Sequence, residues 1–352
     1  MRNSSHDLRD KLLERLLDFL WRQWTSLGVP GNRTSKGAWI IDPEALILIT
    51  THVGRYDARL LDLAIDWLHS YGRCVNLQRL GRIHGQWPNA DELVLSAIAE
   101  ILSEQSTLRK WKTISEKEFL PESEEPLFLS LSGSAPPVLG DPDPRFKRFR
   151  LLRSKWTSRG ACKAPRSDRA ANLLCTLRAF FGVNARAEIM AWLLTHQSGH
   201  PAAIAKATGY FSKSIQATLN EMEQSGQIRS AREGREKKFW VQPENWKFFA
   251  TWDHPSGFPL WINWPPIFYF IKRTLQLLTE DDSPHASVQL RAIQQRGFLD
   301  EIAPALRETV LHFGMVSNRN ATGHKLIEAV REDIEKLIHL LETDFSEEIL
   351  SP

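Results

Sequence analysis

The chain has 352 residues, more than one small core accommodates, and two or three domains are expected of it. Hydrophobic residues make up 42% and charged residues 25%, which argues against a largely disordered chain, and no uncharged apolar run approaches the length of a membrane span. The 45 Lys and Arg against 42 Asp and Glu leave a formal charge of +3, a balance that favours no partner until it is resolved along the chain.

Cys74, Cys162 and Cys175 are sparse, odd in number and far apart, so a disulfide framework is not expected and a reducing compartment is. The first apolar stretch, Leu8 to Trp24, is interrupted by Arg9, Asp10, Lys11, Glu14, Arg15, Asp18 and Arg22, a pattern no translocation signal carries. The expected location is the cytoplasm.

In chain order, Leu8, Leu12, Leu16, Leu20 and Trp24 recur every four residues and predict an amphipathic helix over Ser5 to Leu27. Asp42-Pro43 predicts a capped helix through about Thr51, and a further helix runs from Asp57 to Tyr71 with Gly72 as its stop. Asn76 and Asn89 are expected to cap two more, the second over Ala90 to Ser103. Residues 1–113 thus form an N-terminal helical domain. Six prolines between 121 and 144 surround one apolar run, Leu127 to Leu131, and predict a linker or irregular sub-domain holding one strand. Helices return over Pro265 to Leu278, Val288 to Gln295, Leu299 to His312 and Gly323 to Glu342, making 247–352 a C-terminal helical domain. The stripe Leu326, Ile327, Val330, Ile334, Leu337, Ile338 and Leu341 suits packing or dimerisation.

Charge is not spread evenly. Residues 145–242 hold 19 Lys and Arg against six Asp and Glu, a net of +13, so the remainder carries about −10. Ten of these cations fall before Asn172, from Arg145 to Arg169, with Phe146, Phe149 and Trp156 interleaved. That stretch, within a linker at 114–172, reads equally as an arm along DNA or as a packed segment whose aromatics point inward and whose charges meet the acidic domains.

The most specific pattern lies at Ile204 to Ile228. Pro201 starts a short helix carrying Ile204 and Ala205, and Gly209 stands where a turn between helices needs positive φ. A second helix over Ser212 to Ser225 buries Ile215, Leu219 and Met222, and Gly226 closes it. The preceding helix, Arg186 to His196, supplies Ile189, Trp192 and Leu193. Afterwards Gln227 to Arg232 and Lys237 to Val241 can pair around Glu233-Gly234-Arg235-Glu236. This order resembles the winged helix-turn-helix of bacterial regulators of the MarR and ArsR type, over about 173–246, roughly a fifth of the chain. Phe211 departs from it, standing where such motifs place a Ser or Thr cap, with Ser212 one later.

The resemblance implies a mainly α protein in which a winged helix-turn-helix (α+β) domain is flanked by two helical domains. With Ile215, Leu219 and Met222 inward, Lys213, Ser214, Gln216, Ala217 and Asn220 are left for the major groove, where Lys reaches guanine or phosphate and Gln and Asn pair with adenine edges. Arg229, Arg232, Arg235, Lys237 and Lys238 on the wing suit backbone phosphates or the minor groove. Double-stranded DNA and a second copy of the chain are the implied partners, and the implied role is a transcriptional regulator, with a repressor favoured and activation left open. The appended helical domains look like those of regulatory proteins from bacterial defence or toxin–antitoxin loci. The alternative is a non-catalytic interaction subunit of a phage-defence or nucleic-acid-processing complex, with the winged helix as a docking module.

No catalytic pattern, cofactor or metal is expected. Gly133-Ser134 with Asp141-Pro-Asp143 looks like a nucleotidyltransferase pair, but the prolines disfavour the strand that would hold both carboxylates on one face. His196 and His200 have metal-like spacing, yet Gly199 and Pro201 break a shared helix and no third ligand follows.

Overall fold

Most helices begin where a side-chain oxygen takes up an otherwise free backbone amide. Asp42 accepts from Ala45 N at 3.0 Å, Asp57 from Leu60 N at 2.9 Å and Asn76 from Arg79 N at 3.1 Å. The computed structural model describes residues 5–35, 37–115, 121–130, 135, 137–234, 236–250, 252, 257–280, 287–309, 311 and 320–345. Its elements are α1 (Ser5–Ser26), α2 (Pro43–Val53), α3 (Ala58–Tyr71), α4 (Leu77–Gln86), α5 (Glu92–Ser103) and α6 (Lys112–Ser115). There follow β1 (Glu125–Pro126), α7 (Pro144–Lys147), β2 (Leu151–Leu152), α8 (Leu173–Phe181), α9 (Ala185–Thr195), α10 (Pro201–Thr208) and α11 (Ser212–Glu223). The chain continues with β3 (Ile228–Glu233), β4 (Glu236–Val241), α12 (Trp264–Glu280), α13 (Val288–Leu306) and α14 (Gly323–Glu342).

The protein is mainly helical, with two small two-stranded sheets among the described residues. Among the described residues no helix is long and apolar enough to cross a membrane.

Several local expectations are corrected. Gly72 is not a left-handed stop: at φ −60° it stays right-handed and opens a 3₁₀ turn, Gly72–Cys74. Asp91, not Asn89, caps α5, accepting from Leu93 N and Val94 N, because its shorter distance to the first turn puts the carboxylate beside both amides, while Asn89 is buried. The apolar run after Pro126 is not itself a strand. The pairing lies one step earlier, where β1 runs parallel to β2 and Leu127 N donates to Leu152 O, and Leu131 falls outside the described residues. The two helices expected over 288–312 are one, α13, which tolerates Pro304 near its end; His312 is outside the described residues.

Two cores result. The larger one joins α1 to α5 with α12, α13 and α14, so both ends of the chain share it. Among its largest side chains, Trp24, Trp39, Trp67 and Trp264 are all buried, and each of these four indole N–H groups has an acceptor. Trp39 reaches Asp344 O at 2.8 Å and Trp264 reaches Ile40 O at 2.8 Å, stitching the two ends together, with the two rings 4.8 Å apart edge to face. The stripe on α14 is consumed here. Leu326, Val330, Ile334, Leu337, Ile338 and Leu341 are buried against α1 and α13, so it packs within the chain. The smaller core gathers α8 to α11, β3 and β4, joined by Ile40 from the N-terminal part.

The basic stretch from Arg145 to Arg169 belongs to the larger core and is not a free arm. Phe146, Phe149 and Trp156 are buried, and some of the cations meet carboxylates: Arg148 pairs with Glu100 at 2.6 Å, Arg153 with Asp62 at 2.5 Å and Arg145 with Asp143 at 2.8 Å, while Lys147, Lys155, Arg159, Lys163 and Arg169 are exposed. Asp66 grips the loop that follows, accepting from Ser158 Oγ at 2.6 Å and from the amides of Arg159, Gly160 and Ala161. Burial would raise the Asp66 carboxyl, but these four donors outweigh it and hold it below the usual range. Asp143 caps α7 and accepts from Trp156 N at 2.8 Å, a structural duty; Gly133 and Ser134 lie outside the described residues.

A buried ionic cluster locks the smaller core onto the larger. Arg178 on α8 bonds Glu44 at 2.7 and 2.8 Å and also Glu188 on α9, while Arg79 on α4 bonds Asp42 at 2.7 Å and Glu44 at 2.5 Å. All five side chains are buried. Burial opposes the charge on Arg79 and Arg178, yet the facing carboxylates overcome it and hold both firmly protonated. At Glu188 burial prevails and raises the carboxyl.

Candidate nucleic-acid interface

The segment 185–241 is built as its spacing suggests. His200 accepts from Ala202 N at 3.2 Å and Pro201 sits in the first turn of α10, so the helix starts there. Gly209 ends it in the left-handed region at φ +70°, where a side chain would be strained. α11 then runs from Ser212, with Phe211 at the cap position making no side-chain cap bond, and it buries Ile215 and Leu219. Met222 packs partly buried against the same core. β3 and β4 pair antiparallel from Ile228↔Val241 to Glu233↔Glu236 around a tight turn with Gly234 at φ +62°.

One feature was not foreseen. Gly199 exchanges both backbone bonds with Phe239, at 2.8 and 2.9 Å, adding a one-residue third strand to the hairpin just before α10. A Cβ at Gly199 would lie 2.7 Å from Ile204 and from the Trp192 indole, so only glycine fits that approach. His196 stacks on Trp192 with ring centroids 3.5 Å apart, and its lowered pKa follows from burial. His196 and His200 are thus a stacking partner and a helix cap. Among the described residues no group of three His, Cys, Asp or Glu is arranged to hold a metal ion.

The α11 face lies open. Lys213, Ser214, Ala217 and Asn220 are exposed, and Gln216, half-buried, donates to Asn220 Oδ1 at 3.2 Å. At 100° per residue, Lys213, Ala217 and Asn220 form the centre of this face. The hairpin flanks it on the Gln216 side, where Glu223 meets Lys237 at 2.6 Å and also bonds Ser230. Those bonds hold the Glu223 carboxyl below its usual range. Lys238 pairs with Glu233 in the same way. Of the wing cations, Arg229 and Arg232 are exposed without an ion pair among the described residues, Lys237 and Lys238 are engaged, and Arg235 lies outside the described residues.

The turn before α11 is pinned by α4, which sequence spacing did not disclose. Arg82 lies 3.7 Å over the Phe211 ring and donates to Gly209 O at 3.0 Å, while Arg79 Nε donates to Thr208 O at 2.7 Å. Asn76 bonds the Tyr210 hydroxyl. Phe211, out of place as a cap, serves as the platform for Arg82.

Comparison of the chain with protein-family models, with curated proteins and with solved structures finds no match.

Proposed function

We propose that the chain is a sequence-specific duplex-DNA-binding transcriptional regulator, with α9 to β4 as a winged helix-turn-helix and α11 as its recognition helix. The observation that carries this reading is the open α11 face: Lys213, Ser214, Ala217 and Asn220 point to solvent while Ile215 and Leu219 fill the core behind them. A helix set this way presents donors and acceptors to base edges, and the hairpin beside it presents Arg229 and Arg232 to the backbone. The third strand at Gly199 supports the same reading, since it ties the hairpin back to the helices it must orient. A homodimer would read paired half-sites, with its contact surface elsewhere than α14.

A second reading, a protein-docking module in a defence or nucleic-acid-processing complex, is favoured by one feature. Phe180 and Phe248 are 65% and 60% exposed and cluster with Phe181, Trp246 and Phe249.

Salt titration of duplex binding separates the two. The regulator reading expects log K to fall linearly with log salt, and the pair R229E and R232E to lower that slope by about 2 or more, since each phosphate contact is worth about 0.9. Absence of salt-dependent duplex binding by the intact protein would sink it in favour of the docking reading.

A further inference from the structure

On the flank of α11 opposite the hairpin, a groove of about 730 Å³ opens between the two cores. Its walls are the 3₁₀ segment Ser106–Trp111, the starts of α4 and α9, and Tyr210 in the turn before α11. Arg73, Arg109 and Lys110 stand exposed on it, and none of its lining residues is acidic. Among the described residues, none of the three cations has an ion-pair partner. Three like charges kept together without compensation repel one another, a cost that an anion on the groove removes. The first turns of α4 and α9 add their positive ends to the same wall.

The groove's place relative to α11 follows from two contacts. Arg186, in the first turn of α9, bonds Glu221 at 2.6 Å, and Glu221 lies with Ser214 on one flank of α11. Glu223, on the other flank, bonds the hairpin through Ser230 and Lys237. The open face is therefore bordered by wing cations on one side and by the groove on the other, and Tyr210 joins the groove to the start of α11.

We infer that this groove is a phosphate-binding surface that takes the sugar–phosphate backbone of the duplex read by α11, on the side away from the wing. The inference rests on the duplex-binding reading of α11. The N-terminal helices then contribute directly to DNA contact, through Arg73, Arg109 and Lys110, and the buried ionic cluster behind them holds their spacing to α11.

The test compares the intact protein with the variant R73A/R109A/K110A, all three positions being exposed, at several salt concentrations on the same duplex. The variant is expected to melt at the wild-type temperature, to lose about 2 to 3 from the salt slope, and to keep the wild-type sequence preference. If the wild type binds duplex with a steep slope and the variant's slope is unchanged, the groove assignment is overturned while the α11 reading stands. If the slope is unchanged and ATP binds the wild type but not the variant, the groove takes a free nucleotide, and the duplex assignment is likewise overturned. If the wild type shows no salt-dependent duplex binding, the α11 reading fails and this inference with it.

Discussion

Arg178 on α8 and Glu44 at the start of α2 form a two-bonded pair, at 2.7 and 2.8 Å, between side chains that are both fully buried. It joins the module that carries α11 to the N-terminal helices. Glu188 and Arg79 extend it on either side, so each charge in the cluster has an opposite neighbour.

Removing one member leaves others buried without compensation. Arg178→Met leaves Glu188 without its bonded cation and Glu44 with Arg79 alone, and is expected to lower stability by about 3–5 kcal/mol. Urea denaturation followed by tryptophan fluorescence and by circular dichroism reads this loss. A change below about 1 kcal/mol would mean that the pair does not hold the two cores together.

His52, near the end of α2, gives a signed pH dependence. Burial, then the nearby Lys272 and Arg55, lowers its pKa from 6.5 to about 4, against the pull of Asp91. Between those values the unfolded chain binds a proton that the folded chain does not, so stability falls as pH drops from 6.5 toward 4. The loss amounts to about 3 kcal/mol at most, and His52→Gln should flatten that part of the profile. An identical acid limb in the variant would refute the assignment.

Asp333 on α14 acts in the opposite sense. Burial pushes it up to about 6, against the pull of Lys336 at 3.2 Å. Its raised pKa favours the folded state at low pH, and that contribution is lost as pH rises through about 6. Asp333→Asn should therefore raise the melting temperature at pH 8 relative to wild type and change little at pH 4. A lower melting temperature at pH 8 would show that the carboxylate form is the favoured one.

The cysteines should differ in reactivity. The thiol of Cys74, half-buried, is lowered by its hydrogen bond with Cys175, while Cys175 is pushed up in return. Burial pushes Cys162 up to about 12. A short iodoacetamide pulse on the native protein at pH 8, read by peptide mass spectrometry, should label Cys74 ahead of the other two. Earlier labelling of Cys162 would contradict this.

What could be read in advance was local. The caps at Asp42 and Asn76, the positive φ at Gly209 and the hairpin register depend on residues within a few positions of one another. Where distant segments decide, spacing was silent. Phe146, Phe149 and Trp156 look like stacking residues among cations until Glu100 and Asp62 arrive from α5 and α3 to pair with Arg148 and Arg153, and Asp66 takes up the backbone amides after Trp156. The α14 stripe has the same period whether it meets α1 or a second chain, so periodicity could not choose between them. The α11 face was visible from its helical spacing, whereas Arg82 over Phe211 and the groove beside Tyr210 needed the packing of α4 to exist.

The central claim is that α11 reads duplex sequence. It is tested most directly by selecting the preferred duplex from a random pool and comparing its affinity with that of an unrelated duplex, for the wild type and for K213A/Q216A/N220A. The account predicts that the wild type favours the selected duplex by about a thousandfold or more. The variant should lose most of that discrimination while keeping its affinity for the unrelated duplex. Undiminished discrimination in the variant would contradict it.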